Sequence, residues 1–263
     1  MKKTGFIAAL LACLLVSFAA VAKERVSKKE QEKIVTREIA VGDFDAILTH
    51  GISVSLAYGD NNGKALLSAP ASKIEKVNIS VKDGKLEISV NNSIKLKNND
   101  DFMLTLSGKV RSIEATSSAK VKVNLMDADE VSLYARTSAK VTVDTIRARE
   151  LDAETYTSGN ITVWKAYCSK EFEAQTQSSG CIDMQYIETP EARLKAYSSG
   201  DLNIYSGTAD ILIADAYTAG KIDIRAKVKE GSANARTAAK IRCPRNFSIK
   251  SSTAGSVETN LND

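Results

Sequence analysis

The sequence predicts an all-β chain: a right-handed parallel β-helix-like solenoid with rungs of about 20 residues, capped at its start by an N-terminal β-subdomain. Three observations carry that prediction. One short phrase recurs eight times between Thr116 and Glu258 at nearly constant spacing. Within each copy apolar and polar residues alternate, and a period of two belongs to a strand. No copy shows the i, i+3, i+4, i+7 apolar spacing that a helical solenoid needs.

The phrase reads Ser117-Ser118-Ala119-Lys120-Val121-Lys122-Val123 in its first copy and Thr157-Ser158-Gly159-Asn160-Ile161-Thr162-Val163 in its third. A shortened copy, Thr253-Ala254-Gly255-Ser256-Val257-Glu258, ends the series. Before the small residue of the second copy, Val131, Leu133, Ala135 and Thr137 are expected to face inward, and Ser132, Tyr134 and Arg136 outward. After it, Val141 and Val143 face inward while Lys140 and Thr142 face out. Each rung is therefore at least two strands joined at a tight corner. Gly or Ala at that corner is expected to accept unusual dihedrals and the close approach of the next rung. The Ser/Thr just before it is expected to point inward and to pair its hydroxyl with neighbouring rungs or with the turn backbone.

Taken from the N-terminus, residues 1–22 read as a signal peptide: Met1-Lys2-Lys3, an apolar run from Phe6 to Ala19, then Ala20-Val21-Ala22. Leu11-Ala12-Cys13 faintly matches a lipoprotein box, but the apolar stretch continues past Cys13, which argues against lipidation. Residues 23–36 read as a flexible charged leader. Residues 37–111 hold alternating strands at Phe44–Ile47, Ile52–Leu56, Val77–Val81 and Leu86–Val90, with Asp83-Gly84 as a hairpin turn; they form the N-terminal β-subdomain. Residues 112–263 are the solenoid repeats. The chain holds only three prolines, so no proline-rich linker divides it.

A formal charge of +4, with acids and bases interspersed, lacks the basic stripe of a nucleic-acid partner. No run after the leader approaches the ~20 apolar residues of a membrane-spanning helix. Three cysteines follow the leader. Cys243 falls at an inward position and is expected to be buried, whereas Cys181, just past a corner, is expected to be exposed. A Cys168–Cys181 bridge between successive rungs stays open as an alternative.

Chemistry is sparse in this chain. His50 is the only histidine, poor material for a zinc site or a nucleophilic triad, and no glycine-rich phosphate loop precedes a helix. No cofactor or metal is expected. Asp183, Asp201, Asn203 and Asp223 fall outward near the corners of adjacent rungs, where paired carboxylates could cleave a glycan; a solvated charged face is the preferred reading. Calcium could draw on the same oxygens, but no compact calcium loop is present. Three positions before each corner stand Arg136, Tyr156, Gln177, Tyr197, Tyr217 and Arg236, the candidate ligand-binding file. Tyrosine and arginine join flat apolar area to hydrogen-bonding tips, and the same residues could simply stabilise the sheet by stacking. Trp164, the single tryptophan, lies beyond a corner at rim or core.

Arg37, Phe44-Asp45-Ala46-Ile47, Gly51-Ile52-Ser53-Val54, Asp83-Gly84-Lys85-Leu86-Glu87-Ile88 and the Ser-Ser-Gly-Asp-Leu phrase at 198–202 occur in an order that resembles the putative auto-transporter adhesin, head GIN domain family of bacterial exported proteins. The resemblance spans residues 37–257, and Ala119, Ala139 and Ala239 depart from it where glycine is usual. It implies an adhesin-like role at a bacterial surface and brings no catalytic residues. The C-terminus offers no strands of a membrane-anchoring barrel. The expectation is an exported, non-enzymatic binding protein of the periplasm, outer-membrane surface or exterior, with a surface glycan or envelope protein as ligand. A polysaccharide-active enzyme and a structural envelope protein are the alternatives.

Overall fold

A computed structural model describes residues 33–61, 63–90, 102–252 and 254–259. The expected signal peptide, Cys13 and most of the expected leader lie outside the described residues. The fold is a β-solenoid of about seven turns. Strands β9 (Lys120–Arg136), β10 (Lys140–Tyr156) and β11 (Asn160–Thr176) each run from one corner to the next. β10 and β11 pair in parallel in three stretches, from Lys140↔Asn160 to Val143↔Val163, Thr145↔Lys165 to Ala148↔Cys168, and Glu150↔Glu171 to Thr155↔Thr176. The path therefore bends at Asp144 and again at a register shift near Arg149.

Later rungs follow the same path in two pieces. β12 (Cys181–Met184) and β13 (Ile187–Ala196) lie on β11, followed by β14 (Asp201–Ile204) with β15 (Gly207–Tyr217) and β16 (Lys221–Ile224) with β17 (Lys227–Arg236). β18 (Lys240–Cys243), β19 (Phe247–Ser252) and β20 (Ser256–Thr259) complete the ladder, all parallel. Inward residues such as Val141, Val143, Ile146, Leu151 and Ala153 are fully buried and stack on their equivalents to make one continuous core. Each buried Val, Leu or Ile stabilises the fold by about 1.5–3 kcal/mol.

The first rungs belong to the same sheet. β1 (Ile34–Ala40) begins inside the segment expected to be leader. β2 (Ala46–His50) lies between β6 (Lys85–Val90) and β8 (Ser112–Thr116), and β3 (Ser53–Tyr58) lies between β7 (Met103–Gly108) and β9, all in parallel. Antiparallel pairs β1 with β4 (Lys64–Pro70), β4 with β7, and β5 (Val77–Lys82) with β6 flank these rungs. Asp83 and Gly84 both take left-handed φ, 50° and 75°, in the β5–β6 turn, as a two-residue hairpin requires. The described residues from Ile34 onward form one compact unit.

The corner corrects two expectations. The unusual dihedrals fall on the Ser/Thr pair and not on the small residue: Thr137 and Ser138 have φ of 51° and 64°, and the pattern recurs in Thr157-Ser158, Ser178-Ser179 and Ser198-Ser199. Such a conformation costs a non-glycine residue roughly 1–2 kcal/mol. The corner offsets this with a closing bond from the Ala139 amide to the Arg136 carbonyl, 3.1 Å, and with bonds between stacked corners, Ser118 amide to Thr137 carbonyl, 3.0 Å, and Ser138 amide to Thr157 carbonyl, 3.2 Å. Thr137 is also exposed, not inward. Thr155 and Thr176, four residues before their corners, point inward instead, and Thr49 and Thr189 are buried as well.

Close approach alone explains the small residue. A Cβ on Gly159 would lie 2.0 Å from the Ala135 carbonyl oxygen, and one on Gly180 would lie 2.3 Å from the Thr155 hydroxyl. Ala139 and Ala239 occupy the same position fully buried.

Candidate binding faces

The expected corner file forms one outward row. The ladder places His50 beside Thr116, Arg136 beside Tyr156, and Tyr217 beside Arg236, with Gln177 and Tyr197 between. Each of its six candidate residues is the first residue of a corner turn, so one tight turn aims them all alike. The Tyr197 and Tyr217 rings are stacked, 5.0 Å apart and inclined by 7°. Arg136 covers the Tyr156 ring at 5.0 Å and Arg236 covers Tyr217 at 5.5 Å. The three tyrosines are half-buried and the two arginines exposed. Tyr156 donates to Glu154 at 2.6 Å; that bond, followed by desolvation, pushes its phenol above the usual range. His50 Nδ1 lies 2.6 Å from the Thr116 hydroxyl at the head of the row.

On the strand after the corner, the carboxylates proposed from sequence are engaged with neighbours. Asn203 donates to Asp183 at 2.9 Å, and Tyr205 to the same oxygen at 3.3 Å. Arg225 pairs with Asp223 at 2.9 Å, and Lys221 with Asp201 at 3.6 Å. Arg242 lies 3.6 Å from Asp223 and 3.4 Å from Glu258. Asp201, Asn203, Lys221, Asp223, Arg242 and Glu258 line a groove of about 250 Å³ with Lys240. Most of these contacts cross rungs, Arg225 and Asp223 share one rung, and Oδ1 of Asp201 and of Asp223 are buried without a hydrogen-bond partner among the described residues. Among the described residues no group of three or more His, Cys, Asp or Glu side chains could hold a metal ion.

The cysteines bring a further correction. Cys168, Cys181 and Cys243 are all free. Cys168 turns inward beside Ala148, whereas Cys181 stands in the file of Asn160 and Asp201, so the two thiols occupy different rows of the rung. Cys243 is buried as expected, but Cys181 is half-buried and donates to Asp183 at 3.6 Å. Burial, reinforced by Asp183 and Asp201, pushes the Cys181 thiol up to about 12.

A second aromatic row went unread in the sequence. Trp164 is 54% exposed, which resolves it as rim. The ladder continues from Val163↔Met184 to align Trp164, Gln185, Tyr205 and Arg225 at the first bend of successive rungs. Arg225 lies 5.5 Å from the Tyr205 ring centre, and beyond the bend Tyr167 and Tyr186 approach to 5.8 Å. The signal was available: each member of the bend row stands five residues after its corner residue, Gly159, Gly180, Gly200 or Gly220.

The family comparison covers nearly the whole described fold: the model for putative auto-transporter adhesin, head GIN domain, matches residues 43–166 and 164–261. The chain belongs to this family. Its fold is shared with a putative adhesin from Parabacteroides merdae, at 19% identity and a TM-score of 0.70, over 87% of this chain and 96% of that one. A putative adhesin from Bacteroides fragilis gives 17% identity and a TM-score of 0.63, over 87% of this chain and 98% of that one. A putative lipid binding protein from Parabacteroides distasonis gives 17% and 0.56, over 87% and 97%. No curated protein matches the sequence. No helix among the described residues is long and apolar enough to cross a membrane.

Proposed function

We propose that this protein is an exported, non-enzymatic, adhesin-like binder that offers an outward solenoid face to a surface glycan or envelope protein. The observation that carries the reading is the unbroken corner row from Arg136 to Arg236. It sets three tyrosines and two arginines at rung spacing on a rigid ladder, the residue types in which interface energy concentrates. Membership of an adhesin family supports the same reading. Asp183 accepts from Asn203 and Tyr205, and Asp223 is paired with Arg225, which supports a structural role for these carboxylates over the glycan-cleaving alternative. Export rests on the signal-like residues 1–22, and the destination is the periplasm, outer-membrane surface or exterior.

The test is to incubate the protein with a panel of bacterial and host polysaccharides and to measure retention together with release of reducing ends. Retention without release is expected, and it should fall in a Tyr197→Ala/Tyr217→Ala double variant that still folds. Release of reducing ends would replace this reading with an enzyme. Undiminished retention in the double variant would remove the corner row from the binding surface.

A further inference from the structure

The geometry points to a second, separate site: the bend row Trp164–Gln185–Tyr205, with Asn203 beside it and Tyr167 and Tyr186 around the bend, is a platform for neutral pyranose rings of a glycan. The inference rests on the binding reading above for its ligand class, but not on the corner row. Trp164 is the most exposed large apolar side chain among the described residues, at 54%. Tyr205 is 38% exposed and has one face covered by Arg225. Gln185 separates the two rings, so they stand two rungs apart, about 9.6 Å at the usual strand spacing. That is close to the two-residue repeat of an extended β-1,4-linked glycan, so alternate sugar rings would each lay an apolar C–H face on an aromatic ring while the sugar between them spans Gln185. The Gln185 amide between the rings, and the Asn203 amide that donates to Asp183 beside them, combine donors and acceptors of the kind that pair with sugar hydroxyls.

Charge selects the ligand. Asp144, Asp183, Glu188 and Asp223 are interleaved around the bend with Arg147, Lys165, Arg225 and Lys227, and Asp183 and Asp223 are already held by Asn203, Tyr205, Arg225 and Arg242. A balanced surface with pre-bonded charges complements an uncharged ligand. An anionic lipid surface would instead press against Asp144 and Glu188.

Trp164 is the only tryptophan in the chain, so its emission reports directly on the site. Titration with cellohexaose and with chitohexaose should quench that emission saturably. Tyr205→Ala and Gln185→Ala should weaken the response about tenfold, while Tyr197→Ala/Tyr217→Ala should leave it unchanged. Calorimetric titration of Trp164→Ala should show the same loss, and thermal melting should show that these exposed positions leave the fold intact.

Full affinity in Tyr205→Ala with loss in the corner-row double variant would overturn the bend site while leaving the binding reading standing. A Trp164 response to phosphatidylglycerol vesicles and to neither sugar would overturn it in favour of a lipid surface. No response to either hexasaccharide also overturns it, and only absent retention across the whole polysaccharide panel would take the binding reading with it.

Discussion

The corner row and the bend row are carried by the same ladder and use the same residue types, tyrosine, glutamine and arginine, yet they expose different chemistry. At the corner, Tyr197 and Tyr217 sit on consecutive rungs and close face to face, with Arg236 over the next face, while Tyr156, set apart by Gln177, is covered by Arg136. The faces they turn to each other go into cross-rung stability, and their edges and hydroxyls are what remains for a ligand. At the bend, Gln185 intervenes between Trp164 and Tyr205, and the rings cannot meet. The spacing of aromatics along a solenoid thus decides whether they act as a zipper or as a platform. Residue type alone does not.

The largest expected effect lies beside the bend. Gly207, two residues after Tyr205, has φ of 116°, and a Cβ there would lie 1.8 Å from the Ile187 carbonyl oxygen. Gly207→Val should destabilise the protein by about 3 kcal/mol or more in urea unfolding, through strain and collision with backbone that cannot withdraw. An unchanged midpoint would mean that the bend is loose, and the contrast with the rigid corner would fail.

Smaller effects sharpen the zipper assignment. Tyr197→Ala/Tyr217→Ala should cost about 2 kcal/mol, since an aromatic pair contributes roughly 0.5–1.5 kcal/mol beyond the area it buries. Trp164→Ala should stay within about 0.5 kcal/mol, as exposed substitutions usually do. Equal losses in the two would erase the distinction between the rows. The smallest effect is a gain. Ser138→Gly should stabilise by at most about 1 kcal/mol, because glycine takes left-handed φ without the steric penalty but loses more freedom on folding. A lower melting temperature would show that side-chain contacts at the corner outweigh its dihedral strain.

Much of this was legible from particular residues. Val141, Val143, Leu133 and Ala135 alternate and recur, which identifies strands, rungs and core. Arg136, Tyr156, Gln177, Tyr197, Tyr217 and Arg236 share one offset from their corners, and a constant rung length brings equal offsets into one row. The same reasoning reaches Trp164 and Tyr205, but the mixed membership of that row, with Asp144, Gln185 and Arg225, hides it. Thr137 was misread because alternation was carried through the turn, where two consecutive left-handed residues break it.

A repeating period and its two-residue alternation therefore suffice to specify an all-β solenoid and its inward and outward rows, because stacking converts sequence offset directly into position. Ring orientation, the residues that bear corner strain, the separation of Cys168 from Cys181 and the openness of Trp164 emerge only in the folded chain. They depend on how the path bends near Asp144 and Arg149 and on what the next rung packs against each side chain, and neither is written in the period.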